Sequence, residues 1–245
     1  MSLNARIRSW VKHGIRAAGY DMHRLHPAVS PGQQLHLALQ KFGVDLVFDV
    51  GANTGQFSES LRSFGYTGEI VSFEPLADVH AELAANAARD PRWQVHPRVA
   101  LGNSEGTVDI NVAGNRASSS ILPMLDGHTA AAAESAYVGV ERVPITRLDA
   151  VVGPYLRDAS APFLKIDTQG FEQHVLDGAA ATLPRLRGVL CELSLVPLYE
   201  GQPLWMEMLA RLEADGFTLW AIQPGFTDFR DGRTLQFDAI WFRNP

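Results

Sequence analysis

The chain has 245 residues, 46% apolar and 20% charged, which fits a single folded α/β domain and excludes disordered, collagen-like and coiled-coil classes. Its net charge of −6 is unevenly spread: residues 1–24 hold five basic side chains against Asp21 alone, whereas the rest is acidic and argues against a nucleic-acid footprint. The single cysteine, Cys191, lies in the apolar run GVLCELSL and excludes a disulfide framework or a multi-cysteine metal site.

Residues 3–18 show helical periodicity, with Leu3, Ile7, Trp10, Val11 and Ile15 on one face and Arg8, Lys12 and Arg16 opposite. Two uses are open for such a basic amphipathic helix: peripheral contact with an anionic membrane through residues 3–18, or packing on the domain or on a second copy in a homo-oligomer. Residues 1–30 are therefore expected to form an extension and residues 31–245 the main domain. No 18-residue window is apolar throughout, and the first residues lack the apolar segment of a secretory signal. The expected location is cytoplasmic, with the membrane's inner face as the place for any peripheral contact.

A second helix, QLHLALQKFG, should end at Gly43. Strands are predicted at 45–50, 69–75, 93–101, 107–113, 163–167, 188–194, 217–222 and 237–242, and helices at 56–65, 77–90, 171–183 and 203–216. Several strands are almost continuously apolar, as parallel strands covered on both faces should be. The alternation predicts an α/β fold with a doubly wound, mostly parallel sheet. Residues 114–142 hold no clear strand and are expected to be a loop bordering the site.

Chemistry concentrates at FDVGANTG, Phe48 to Gly55, where an apolar strand turns through glycines into a helix. Such a turn lets a nucleotide-like ligand approach the backbone and meet free N–H groups. Asp49 is an expected acceptor there. Glu74, in VSFEP at the end of the next strand, is placed to accept hydrogen bonds from both ribose hydroxyls. Asn53 and Gln56 stand where a dinucleotide fingerprint needs glycines, which weighs against an NAD-dependent oxidoreductase.

Together with VALGNSEG (99–106), TRLD (146–149) and LKIDTQGFEQHVLDGA (164–179), these segments make the chain resemble the FkbM-type S-adenosylmethionine-dependent methyltransferases. The resemblance implies a class I methyltransferase (Rossmann-like) fold, S-adenosylmethionine as cofactor and O-methylation, most often of a saccharide, glycolipid or natural-product hydroxyl. It also implies that Asp49, Gly51, Asn53 and Gly55 form the cofactor loop, that Glu74 binds the ribose, and that Ala100 and Leu101 border the adenine.

A hydroxyl is a poor nucleophile, so its proton must pass to a base or its oxygen must sit on a metal. Asp167 and Glu192, at the ends of neighbouring strands, are the expected catalytic acids, with Lys165 placed to keep Asp167 ionised. The same pair is open to a second use, as oxygen ligands of Mg2+. Tyr199 and Trp205 flank a turn where an acceptor could stack. Two rival functions stay open: the oxidoreductase, and a non-catalytic S-adenosylmethionine-binding protein that would leave Asp167 and Glu192 without purpose.

Overall fold

The computed structural model describes residues 3–243, with the side chains of residues 3–9, Leu3, Ile7 and Arg8 among them, outside that description. In chain order the elements are α1 (Leu3–Ala17), α2 (Pro31–Lys41), β1 (Leu46–Val50), α3 (Gln56–Ser63), β2 (Glu69–Phe73), α4 (Ala77–Ala87), β3 (Trp93–Val95), β4 (Ala100–Leu101) and β5 (Gly106–Ala113). They continue as α5 (Asp126–Ala131), β6 (Tyr137–Thr146), α6 (Leu148–Val151), β7 (Pro162–Ile166), α7 (Glu172–Asp177), β8 (Gly188–Ser194), α8 (Trp205–Ala214), β9 (Thr218–Pro224) and β10 (Gln236–Phe242).

Seven strands form one sheet in the order β3-β2-β1-β7-β8-β10-β9, parallel except for β10, which runs against both its neighbours. β1 and β7 are buried at every residue. The pleat divides them between two layers: Leu46, Phe48, Val50, Leu164 and Ile166 join one apolar cluster, Val47 and Phe163 the other. This is why these strands read as almost continuously apolar, Asp49 and Lys165 being the exceptions. The chain winds outward from β1 to β3 in one direction and from β7 in the other, so the carboxyl ends of β1 and β7 flank the switch point where open α/β sheets bind ligands.

Three expected elements differ from those observed. The run 93–101 divides into β3, in the main sheet, and β4, in a separate three-stranded sheet ordered β4-β6-β5. Pro97, between the two, offers no N–H to continue a ladder. The expected loop 114–142 contains α5 and the start of β6, whose Val138 and Val140 side chains are exposed, so no burial pattern announced a strand. The expected helix 171–183 stops at Asp177. A Cβ on Gly178 would stand 1.9 Å from the carbonyl oxygen of Gly102, and the Asp149 carboxylate takes the Ala181 and Thr182 N–H groups beyond it.

α1 follows the expected span, and on it Trp10 is 83% exposed with Val11, Lys12 and Arg16 also exposed. No helix among the described residues is long and apolar enough to cross a membrane.

Candidate active site

Two turns meet at the switch point. The one after β1 passes through Gly51 at φ 73° and Asn53 at φ 48°. A Cβ on Gly51 would lie 1.8 Å from the Asp167 carbonyl oxygen, so only glycine allows the β1 turn to press against the β7 turn. Its N–H groups are already engaged, contrary to expectation. Gly51 and Ala52 both donate to the Phe73 carbonyl, Asn53 to Glu74 Oε2, Thr54 to its neighbour Asn53 Oδ1, and Gly55 to the Ala52 carbonyl. The turn therefore presents a shaped wall to a ligand, with Glu74 as the acceptor.

Glu74 is 5% exposed and also accepts the Leu76 N–H at 2.9 Å through Oε1. Burial pushes its carboxyl up to about 7, although the Leu76 and Asn53 N–H groups favour the ionised form. It lines a cavity of about 550 Å³ whose walls also include Gly51, Asn53, Ala100, Leu101, Asp167 and Glu192. Its lining is mixed, with Leu76, Val79, Ile110 and Phe171 among the apolar residues and Glu74, Asp167, Glu192 and Asp238 among the polar ones.

Asp49 and Gly55 stand outside that lining. Asp49 is fully buried beneath the turn, 3.1 Å from Lys165 Nζ and accepting the Ser58 hydroxyl at 3.0 Å, so it anchors rather than meets a ligand. Gly55 opens α3 at φ 101°, where a Cβ would strike the Trp93 ring. Lys165, directly opposite Asp49 in the β1–β7 register, also donates to the Gly51 carbonyl and lies 3.6 Å from Asp167 Oδ2. Burial alone would lower its ammonium, but Asp49 and then Asp167 outweigh it and hold it above its ordinary value.

Among the polar lining residues, the Asp167 side chain is 36% exposed and follows β7, while Glu192 lies within β8. Burial, then the Asp167, Asp238 and Glu172 carboxylates, raise Glu192 well above the usual carboxyl range, which favours its protonated form. The two acids are joined by a residue that sequence reasoning did not single out. Gln169 Nε2 donates to Asp167 Oδ1 and to Glu192 Oε2, both at 2.8 Å. Gln236 Nε2 donates to the same Glu192 oxygen at 2.7 Å. Asp238, opposite Glu192 in the β8–β10 pairing, also lines the cavity and is pushed up to about 6 by burial and by Asp167. Nothing local marks Asp238, because only an antiparallel pairing across 46 residues of sequence brings it to Glu192. Gln169 at least stood inside a motif.

Glu172, close behind Asp167, is structural: its Oε1 accepts the Thr168 and Gly170 N–H groups and the Thr168 hydroxyl, and burial holds it up to about 7. Tyr199 is 1% exposed and bonded to Gln169, so it is no stacking platform. The Mg2+ alternative is not supported. No group of three or more His, Cys, Asp or Glu among the described residues is arranged to hold a metal ion, and an amide donor occupies the space between Asp167 and Glu192.

The methyltransferase FkbM domain model matches residues 49–219, more than half of the chain, and the chain belongs to that family. No curated protein matches the sequence. Among solved structures, the chain is similar to a candidate O-methyltransferase from Klebsiella pneumoniae, at TM-score 0.49 and 12% identity over 96% of this chain and 89% of that one. It is also similar to magnesium protoporphyrin IX methyltransferase from Synechocystis PCC 6803 with bound S-adenosylmethionine, at TM-score 0.48 and 10% identity over 100% and 98%. An rRNA methylase from Streptococcus thermophilus gives TM-score 0.47 and 11% identity over 91% and 100%.

Proposed function

We propose that the chain is an S-adenosylmethionine-dependent O-methyltransferase whose acceptor is a hydroxyl of a saccharide, glycolipid or natural product. The observation that carries the reading is that Glu74 and Asp167 line one and the same cavity. The chemistry of the walls fits the cofactor. Glu74 supplies a carboxylate for a ribose diol, Ala100 and Leu101 border an apolar slot for an adenine, and the turn after β1 keeps Gly51 to Gly55 N–H groups for itself. A ligand without phosphates suits such a turn better than a dinucleotide does.

When bound, S-adenosylmethionine supplies a methyl group on a sulfonium, an electrophile that needs alignment and dryness more than activation. The protein's own part is then to handle one proton. Asp167 receives it at Oδ2, the oxygen that Gln169 leaves unbonded and that lies 3.6 Å from Lys165 Nζ. Glu192 keeps its proton and offers the acceptor a hydrogen-bonding partner, so the two acids divide the work. The carboxylates and carboxamides of the lining, Gln223 and Asp238 included, suit a neutral polyhydroxylated acceptor.

Calorimetric titration with S-adenosylhomocysteine and with NAD tests the cofactor. Binding of the first and not the second is expected, and the reverse would overturn the reading. Turnover with a labelled methyl donor and extracted glycolipids and oligosaccharides tests the reaction. Label should appear in an ether that survives mild alkali, whereas label in an ester or amine would assign a different acceptor.

A further inference from the structure

The loop between β7 and α7 holds one conformation by several independent bonds, more than a connection of that length needs. Gln169 sits at φ 55°, a left-handed conformation that a non-glycine side chain rarely adopts. Its carbonyl accepts the Ser120 hydroxyl at 2.6 Å, and Ser120 in turn bridges back to Asn111 of β5. On either side, Thr168 and Gly170 donate their N–H groups to Glu172. The side chain is fixed as firmly. The Tyr199 hydroxyl donates to Gln169 Oε1 at 2.8 Å, and the Ser118 carbonyl lies 3.2 Å from the same hydroxyl. Burial above all keeps that phenol above its ordinary range, so it remains a donor. A donor on Oε1 determines which way the amide faces: both N–H bonds must point at the carboxyls.

We propose that Gln169 is a positioning residue for methyl transfer, its amide locked by Tyr199 and Ser120 so that it spans Asp167 and Glu192 and leaves Asp167 Oδ2 to the acceptor. The assignment rests on the O-methyltransferase reading for its consequence in turnover, but not for the hydrogen bonding itself. Acids side by side repel when both are ionised, and a shared amide donor holds them at a fixed distance from each other. The other groups around Asp167 are Lys165 on its own strand, Glu192 on β8, Asp238 on β10, Glu172 on α7 and Asp49 on β1 behind Lys165. Lys165 alone among them is a cation, and Asp49 and the Gly51 carbonyl already hold it. Removing the Gln169 amide therefore removes the one neutral donor that separates the two acids.

The test uses Gln169→Leu, which keeps the bulk and loses the donor, and Tyr199→Phe, which keeps Gln169 and loses the lock. Each is measured three ways: S-adenosylhomocysteine affinity and melting temperature, turnover against pH, and carboxyl titration in ligand-free protein carrying 13C at the Asp and Glu carboxyl carbons. Gln169→Leu should bind S-adenosylhomocysteine within about twofold of wild type and lose at least about tenfold in kcat near pH 7, with little change in acceptor KM. Its acid limb should move to higher pH, so that raising the pH restores part of the rate, and the carboxyl titration should differ from that of wild type. Tyr199→Phe should shift both in the same direction by less.

A loss equal at every pH together with a lowered melting temperature would make Gln169 a structural residue only and overturn the proposal. Wild-type turnover with an unchanged carboxyl titration would overturn it as well. If wild type methylates no hydroxyl yet the carboxyl titration still changes in Gln169→Leu, the hydrogen-bonding role stands and the O-methyltransferase reading falls.

Discussion

Replacing Glu74 with alanine isolates the cofactor end of the cavity. The carboxylate is 5% exposed and holds the Asn53 and Leu76 N–H groups at 3.0 and 2.9 Å, which leaves each oxygen one further lone pair for a ribose hydroxyl. Hydrogen bonds to a charged group contribute roughly 1.5–3 kcal/mol each, so two lost bonds amount to at least about 3 kcal/mol and a Kd for S-adenosylhomocysteine raised about 100-fold. Wild-type binding should also depend on pH with a defined sign. A diol is held by the ionised carboxylate, whose folded value is about 7, so affinity should strengthen as pH rises from about 5.5 to 8 and then level off. Glu74→Ala should lose that dependence. Titration calorimetry across this range, with a thermal melt to show that the variant is folded, reads both effects. A folded Glu74→Ala protein that binds within twofold of wild type, or a wild-type affinity flat from pH 5.5 to 8, would refute the placement of the ribose.

Stability of the ligand-free protein should follow the same buried acids. Glu74 and Glu172 at about 7 and Asp238 at about 6 all exceed their unfolded values, so the folded state binds more protons between about 4.5 and 7 and stability falls as pH rises through that window. The melting temperature should be higher at pH 5.5 than at pH 8; the opposite order would contradict the burial of these groups. Lys165→Met should destabilise by about 3–5 kcal/mol in urea unfolding, because it strands Asp49 in the core, and adding Asp49→Asn should recover most of the loss. A single variant as stable as wild type would refute the pairing. The exposed Trp10 and Val11 beside Lys12 and Arg16 lead to the expectation that the intact chain sediments with anionic but not neutral vesicles at low salt, and that deleting residues 1–24 abolishes this. No sedimentation of the intact chain would eliminate α1 as a membrane contact.

The sheet was legible because its central strands are buried on both faces and are apolar apart from one charged residue each, Asp49 in Leu46–Val50 and Lys165 in Pro162–Ile166. The small sheet was not. β6 has only Val143 and Ile145 buried among its ten residues, and β4 is two residues long, so neither carries a readable period. At the site, the residues on strand ends announced themselves through motif and spacing: Glu74, Asp167 and Glu192 all reach the cavity. What spacing could not reveal was how groups pair. Asp49 looked like a ligand acceptor because it ends an apolar strand, but the strand beside it places Lys165 opposite, and the ion pair turns both inward. Gln169 and Asp238 matter only through contacts made across the fold, to Tyr199 and to β8, which no local pattern encodes.

The central claim, that Asp167 takes the proton of an acceptor hydroxyl, is tested most directly by Asp167→Asn in a transfer assay with labelled methyl donor. The substitution is isosteric, removes the base and keeps the cavity. Turnover should fall by about 10²–10⁴-fold, the range general-base catalysis contributes, while S-adenosylhomocysteine binds within about twofold of wild type. An Asp167→Asn protein that methylates its acceptor at the wild-type rate would contradict the account.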